Sequence, residues 1–282
     1  MPVTDSNTPG APAKNGRSNL MMRVLAALVL VPLAIAAAYI GGNLWLVLVT
    51  VTAIGLFAEW LVMTGGAKPV PLGAGILTLV IIAVALALGH LGAALIGGMV
   101  GLLAVAAFSA GILRLWSLIG FVYAALALIA SVLVRNANGG FAALLFVFIV
   151  VWTTDILGYF AGRGIGGPKL WVRVSPNKTW AGAIGGFLGS LIVAGGFIAV
   201  GFGPPLCLLA LAALLSVVSQ LGDLFESAVK RRFGVKDSSH VIPGHGGLLD
   251  RLDGFVAAIV AAALIDFVRG GASLIGPGLL NW

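Results

Sequence analysis

Apolar residues along this chain fall in long runs with short polar punctuation between them. A helix needs about 20 such residues to cross a bilayer. On that ruler the pattern predicts nine spans, at 21–40, 43–63, 70–89, 91–110, 113–134, 141–162, 182–201, 204–224 and 254–270. The fourth can be broken at its glycines. Residues 1–19 are rich in Pro, Gly, Asn and Ser and read as a disordered tail. The run from Leu20 to Ile40 has small residues at Ala36–Ala38, as a signal peptide would, but further spans follow at once, so it is read as a retained helix. The expected fold is an all-α, polytopic integral membrane protein. Its divisions are the tail, N-terminal transmembrane helices over 20–140, and a catalytic transmembrane part over 141–282 with polar loops at 163–181 and 225–253.

Composition sharpens this reading. The chain is 60% hydrophobic and 9% charged, whereas soluble domains run at roughly 25% charged. No core of 282 residues hides that much apolar surface. Cys207 is the only cysteine, which removes disulfides and thiolate metal clusters. The net charge of +7 could suggest nucleic acid, but its distribution argues against that. With the N-terminus cytoplasmic, nine spans place every Lys and Arg inside except Arg135 and Arg269. That asymmetry obeys the positive-inside rule and puts the C-terminus outside.

Against this background one strip stands apart. Residues 223–253 hold five of the nine acids in the chain. Asp223, Glu226, Ser227 and Lys230 are spaced to share one helix face, and Asp250 and Asp253 stand one turn apart at the entrance to the ninth span. If the eighth and ninth spans pack side by side, these carboxylates converge. Embedded acids are costly and seek a cation. Plain ion pairs with Lys230 and Arg251 are one solution. A divalent ion such as Mg²⁺, which favours carboxylate oxygens, is the preferred one, and clustered acids leave room for a second cation. The basic residues Lys230, Arg231, Arg232 and Lys236 lie between the acids, next to Pro243-Gly-His-Gly-Gly247. Its glycines free backbone N–H groups for phosphate, and His245 can bond a phosphate or act as acid or base. In the other loop, Ser175-Pro-Asn-Lys-Thr179 offers two hydroxyls and an ammonium just before a helix start, a favourable place for an anion. Asp155, within the sixth span, is another embedded acid and a candidate pocket residue. Glu59 is similar but has fewer polar neighbours, and Asp266 lies far from the strip.

Taken as a pattern, Ser227-x2-Lys230-Arg231-x4-Lys236-Asp237-x-Ser239-x2-Ile242-Pro243-x-His245-Gly246-Gly247-Leu248-x-Asp250-Arg251-Leu252-Asp253 resembles the signature of the phosphatidate cytidylyltransferases, or CDP-diacylglycerol synthases. Gly222-Asp223-Leu224-x-Glu226-Ser227, Trp152-x2-Asp155-x3-Tyr159 and the Ser175–Thr179 turn look like the same family. The resemblance is close over about residues 150–256. Three positions depart from it. Ala181 stands where the family usually has Glu, Gly167 where Lys is frequent, and Ile-Leu-Gly follows Asp155 where small or hydroxyl residues are usual.

The resemblance implies the reaction CTP + phosphatidate → CDP-diacylglycerol + pyrophosphate with Mg²⁺, at the cytoplasmic face of what is expected to be a bacterial inner membrane, and it allows a homodimer. It assigns metal to Asp223 and Asp250, with Asp253 or Glu226 supporting. Lys230, Arg231, Lys236 and Arg251 would hold triphosphate or pyrophosphate, with His245 and Asp237 nearby. Ser175, Lys178 and Thr179 would hold the other phosphate, and Asp155 would line the pocket. The rival readings are a CTP-using enzyme for another lipid (a polyprenol kinase or an ether-lipid cytidylyltransferase), a transporter, and a paralogue without turnover. A transporter would place its charges near the midplane and often show repeats, whereas these gather at one face.

Overall fold

The computed structural model describes residues 28–29, 31–239, 246–270 and 278–282. The expected tail and the opening of the first span lie outside that set, as do His240 and His245. The described helices follow the apolar runs: α1 (Val31–Ile40), α2 (Gly42–Thr64), α3 (Pro69–Ala87), α4 (Leu91–Phe108), α5 (Gly111–Asn136), α6 (Gly140–Gly164), α7 (Trp180–Ala199), α8 (Pro205–Arg232) and α9 (Leu249–Gly270). Seven of them, α2 to α8, are long and apolar enough to cross a membrane. The chain is an all-α, membrane-spanning protein, because only helices or closed barrels satisfy their backbone groups in lipid. The fourth span is unbroken: its glycines are accommodated within α4.

Two boundaries differ from the expectation. Helix α8 continues past residue 224 to Arg232, and α9 starts at Leu249. The apolar run ends where the acids begin, but helical spacing continues through them. The 163–181 loop also contains a β-hairpin, β1 (Lys169–Trp171) and β2 (Ser175–Thr179), with Lys169 opposite Thr179 and Trp171 opposite Ser175. Gly166 and Gly167 turn the chain into it with φ of 70° and 91°, values that a lysine at position 167 would resist.

Packing pairs α6 with α7, α3 with α4, α8 with α9 and α2 with α5, and α5 packs against α9. The α6–α7 seam is made of small residues. A Cβ on Gly182 would lie 2.7 Å from the carbonyl oxygen of Gly158, and one on Gly186 would lie 2.5 Å from that of Thr154. Such contacts replace the hydrophobic effect as the source of helix association in lipid. The α8–α9 seam works alike: a Cβ on Gly222 would lie 2.8 Å from the carbonyl oxygen of Asp253. Outward faces of α3 and α4 expose Leu77, Ile81, Ile96, Met99 and Leu103, as lipid contact requires.

The bundle has two unlike ends. At one, the Arg135 guanidinium donates to the carbonyls of Ala38 and Tyr39, Asn281 reaches the carbonyl of Asn138, and Arg269 covers the Trp282 ring at 3.8 Å. Asp266 accepts from Gly278 N–H at 3.0 Å. Arg135 and Arg269, the two basic residues that the charge count set apart, thus belong to one end.

Gly186→Val should force α6 and α7 apart. The expected cost is about 1–3 kcal/mol, read as a lower unfolding temperature in detergent. An unchanged midpoint would mean that the seam yields without cost.

Candidate active site

The end opposite Arg135 contains a polar cavity of about 580 Å³, lined by α6, the hairpin, α7 and α8. Asp155, Tyr159 and Arg163 recur every four residues along α6 and so share its inner face. From the hairpin come Lys169, Asn177 and Lys178, and from α8 come Gln220 and Asp223. The Lys178 ammonium pairs with Asp223 Oδ2, and Ser227 donates to Asp223 Oδ1 at 3.3 Å. Thr179 lines the cavity too, but its hydroxyl oxygen is already engaged as the N-cap of α7, accepting from Gly182 N–H at 3.1 Å. The first turn of α7 has no acid, Ala181 standing there. No acid within that turn answers the N-terminal dipole, which lies beside Lys178 and suits an anion.

Behind Asp223 lies a second group. Lys230 Nζ sits 3.1 Å from Glu226 Oε1 and 2.6 Å from Asp250 Oδ1, joining α8 to α9. All three side chains are at most 10% exposed. Asp250 Oδ2 accepts from Ser238 N–H and Gly247 N–H, both at 2.9 Å, and from the Ser238 hydroxyl at 3.0 Å. Asp250 lies ahead of the apolar part of α9. Burial by itself would raise its pKa. The Lys230 ammonium and the two N–H groups prevail and hold the carboxyl below its ordinary value. Glu226 is fully buried, and neither of its oxygens has a hydrogen-bond partner beyond the ion pair.

Asp253 accepts from Gly254 N–H at 2.7 Å. It is an electrostatic neighbour of Asp223, Glu226 and Asp155, so α8 and α9 do bring the acids of the strip into one region. Among the described residues, however, no three acid, His or Cys side chains close around a common point. Lys178 and Lys230 stand between them.

The other expected residues lie outside the cavity wall. Ser175 opens β2 opposite Trp171. Arg231 donates to the carbonyls of Val174 and Val235, tying the hairpin to the end of α8. Lys236 and Asp237 are exposed on the segment that follows. Arg251 lines a second, mainly apolar cavity of about 400 Å³ between α1, α2, α5, α6 and α9. Asp155 belongs to the walls of both cavities. His245 lies outside the described residues.

Sequence reasoning missed Arg163, Lys169, Asn177 and Gln220 as site components, and it noted Glu59 as an embedded acid without giving it a role. Gln220 was findable, standing one helical turn before Asp223. Asn177 was within the Ser175–Thr179 turn but has no charge to mark it. Glu59 stood out as an embedded acid, but its partners, 179 to 190 residues away, left no local trace.

The model of the cytidylyltransferase family matches residues 21–268. This chain is a member of that family. Its relatives include phosphatidate cytidylyltransferases. It is 40% identical to the one from Brucella abortus biovar 1 (strain 9-941) over 94% of this chain and 97% of the relative. With the Bacillus subtilis (strain 168) protein of the same name, identity is 44% over 44% of this chain and 47% of the relative. The family membership makes the chain a nucleotidyltransferase, acting within a membrane-spanning scaffold.

Lys230→Met should leave Glu226 and Asp250 buried without their cation. Breaking a buried pair in this way costs about 3–5 kcal/mol, so the variant should unfold well below the parent in detergent. Equal midpoints would show that the acids do not depend on Lys230.

Proposed function

We propose that the chain is a phosphatidate cytidylyltransferase whose reaction takes place in the polar cavity, with CTP entering from the cytoplasm and phosphatidate from the bilayer. The observation that carries this reading is the cavity wall, where Arg163, Lys169 and Lys178 face Asp155 and Asp223 at the N-terminus of α7. The names of the relatives support the substrate pair. A phosphate oxygen of phosphatidate attacks the α-phosphorus of CTP. The bond to the bridging oxygen breaks on the opposite side, and pyrophosphate departs with that electron pair. Such a transfer asks the protein mainly for positioning and charge neutralisation. Lys178 and the α7 N-terminus would hold one phosphate, and Arg163 and Lys169 the neighbouring charge. Lys236, from the other polar segment, would contact the triphosphate from beyond the cavity wall, whereas Arg251 lines the second cavity. Lys230 serves chiefly to keep Asp250 charged and to hold Asp250 and Glu226 in place. Assembly with a second copy of the chain belongs to the same reading.

Mg²⁺ would have to displace Lys178 from Asp223 and Lys230 from Asp250, carboxylates that these lysines occupy here. Asp223 is part-exposed to the cavity and offers hard oxygens, and the buried Glu226 oxygens lack hydrogen bonds. Asp223 and Asp250 would hold the ion, with Asp253 or Glu226 in support. When bound, it would neutralise charge on the phosphates.

Purified protein given CTP, phosphatidate and Mg²⁺ should release pyrophosphate and form CDP-lipid. Asp223→Asn should lower turnover at least about 100-fold with folding retained, and Lys178→Ala should raise the KM of one substrate while the Mg²⁺ requirement persists. Product from a polyprenol or ether lipid but not from phosphatidate would transfer the assignment to that lipid. An active Asp223→Asn would remove the carboxylate from the mechanism.

A further inference from the structure

Glu59 sits near the end of α2, 5% exposed, in the half of the chain outside the family-like strip. Its oxygens are fully occupied. Oε1 accepts from the Ser239 hydroxyl at 2.7 Å and from Leu248 N–H at 2.9 Å. Oε2 accepts from the Ser238 hydroxyl at 3.2 Å and from Leu249 N–H at 2.9 Å. Among the described residues no Lys, Arg or His forms a salt bridge with it. Neutral donors hold the charge instead: two N–H groups at the start of α9, where the helix dipole favours an anion, the Ser239 hydroxyl, and the Ser238 hydroxyl, whose single proton is shared with Asp250 Oδ2.

The geometry has a definite purpose in the chain path. Ser238 and Ser239 precede residues 240–245, and Leu248 and Leu249 follow them, so a single carboxylate joins both ends of that segment. Asp250 does the same from the other side, through Ser238 and Gly247. Position 247 has no room for a side chain: a Cβ there would lie 1.9 Å from Ser238 Oγ and 2.6 Å from Glu59 Oε2. The depth of Glu59 is fixed by its neighbour Trp60, whose indole N–H donates to the Trp116 carbonyl at 2.8 Å. The Trp60 ring fills the notch at Gly120, where a Cβ would lie 2.2 Å away.

We propose that Glu59 is a positioning residue of the active site: it clamps Ser238 and Ser239 to Leu248 and Leu249 and thereby sets where Asp250 stands relative to the cavity. The proposal rests on the cytidylyltransferase reading for its catalytic consequence, but the clamp is a property of the protein without substrate.

The test is Glu59→Gln in the full-length protein. A glutamine offers one acceptor oxygen and an NH₂ group, so it leaves part of the four-donor set unmatched while keeping the shape. Amide hydrogen exchange around 246–250 should quicken by about tenfold or more, with α3 and α4 unchanged. Turnover per folded enzyme should fall on the order of 10- to 100-fold, the scale set by small misplacements, with the KM for CTP changing much less. If exchange around 246–250 stays as in the parent, the clamp is refuted. A loss of activity that only tracks the folded fraction, with kcat per folded enzyme unchanged, refutes the positioning role. Should Glu59→Gln fail to fold, Ser239→Ala, which removes one donor and keeps the carboxylate, should give the same changes at smaller size, and their absence would refute the proposal. Exchange is read without substrate, so a parent enzyme inactive on phosphatidate would overturn the substrate assignment while the clamp is still tested.

Discussion

A buried carboxylate is tolerable only where something answers its charge, and Lys230 answers two at once. Its ammonium lies between Glu226 on α8 and Asp250 on α9, so the distance between those helices is tied to an electrostatic requirement as well as to the close approach at Gly222. Desolvation makes this arrangement expensive to assemble and more expensive to break. Once Asp250 is held by Lys230, its other oxygen is free to gather Ser238 and Gly247, and the polar segment between the helices takes its shape from there.

The cavity needs a second condition, met by α6 and α7. Glycines along that seam bring two backbones into contact and point the start of α7, with Lys178 just before it, towards Asp223. The hairpin is then positioned from both sides: by Trp180 N–H donating to the Pro168 carbonyl at 3.0 Å, and by Arg231 reaching Val174. The hairpin supplies Lys169 and Lys178, α8 supplies Asp223, and α6 supplies both Asp155 and Arg163. Positive charge on such a wall favours a phosphate.

Much of this was legible in the chain. Apolar run length located the helices, and the spacing of Asp223, Glu226 and Lys230 placed them on one face before any coordinates. Less visible were features set by distant partners. The pairing of Lys178 with Asp223 joins residues 45 positions apart, and Glu59 meets its partners across most of the chain. Neither leaves a local pattern. Helix α8 outran its apolar segment because hydropathy reports lipid contact, whereas the helix continues as long as its backbone bonds are made. The short strands of the hairpin carry too few residues for an alternating pattern.

The length of α8 has a consequence of its own. At 1.5 Å per residue its 28 residues extend about 42 Å, against a hydrocarbon core of about 30 Å. The excess of about 12 Å, two turns and more, is where Glu226 and Lys230 ride, with Asp223 just inside the core boundary. The helix therefore works as a spacer that carries its reactive face to the level of the lipid phosphates. A substrate lipid can remain in its own leaflet while its headgroup reacts, and the protein is spared the cost, about 0.8 kcal/mol for every methylene, of lifting acyl chains into water.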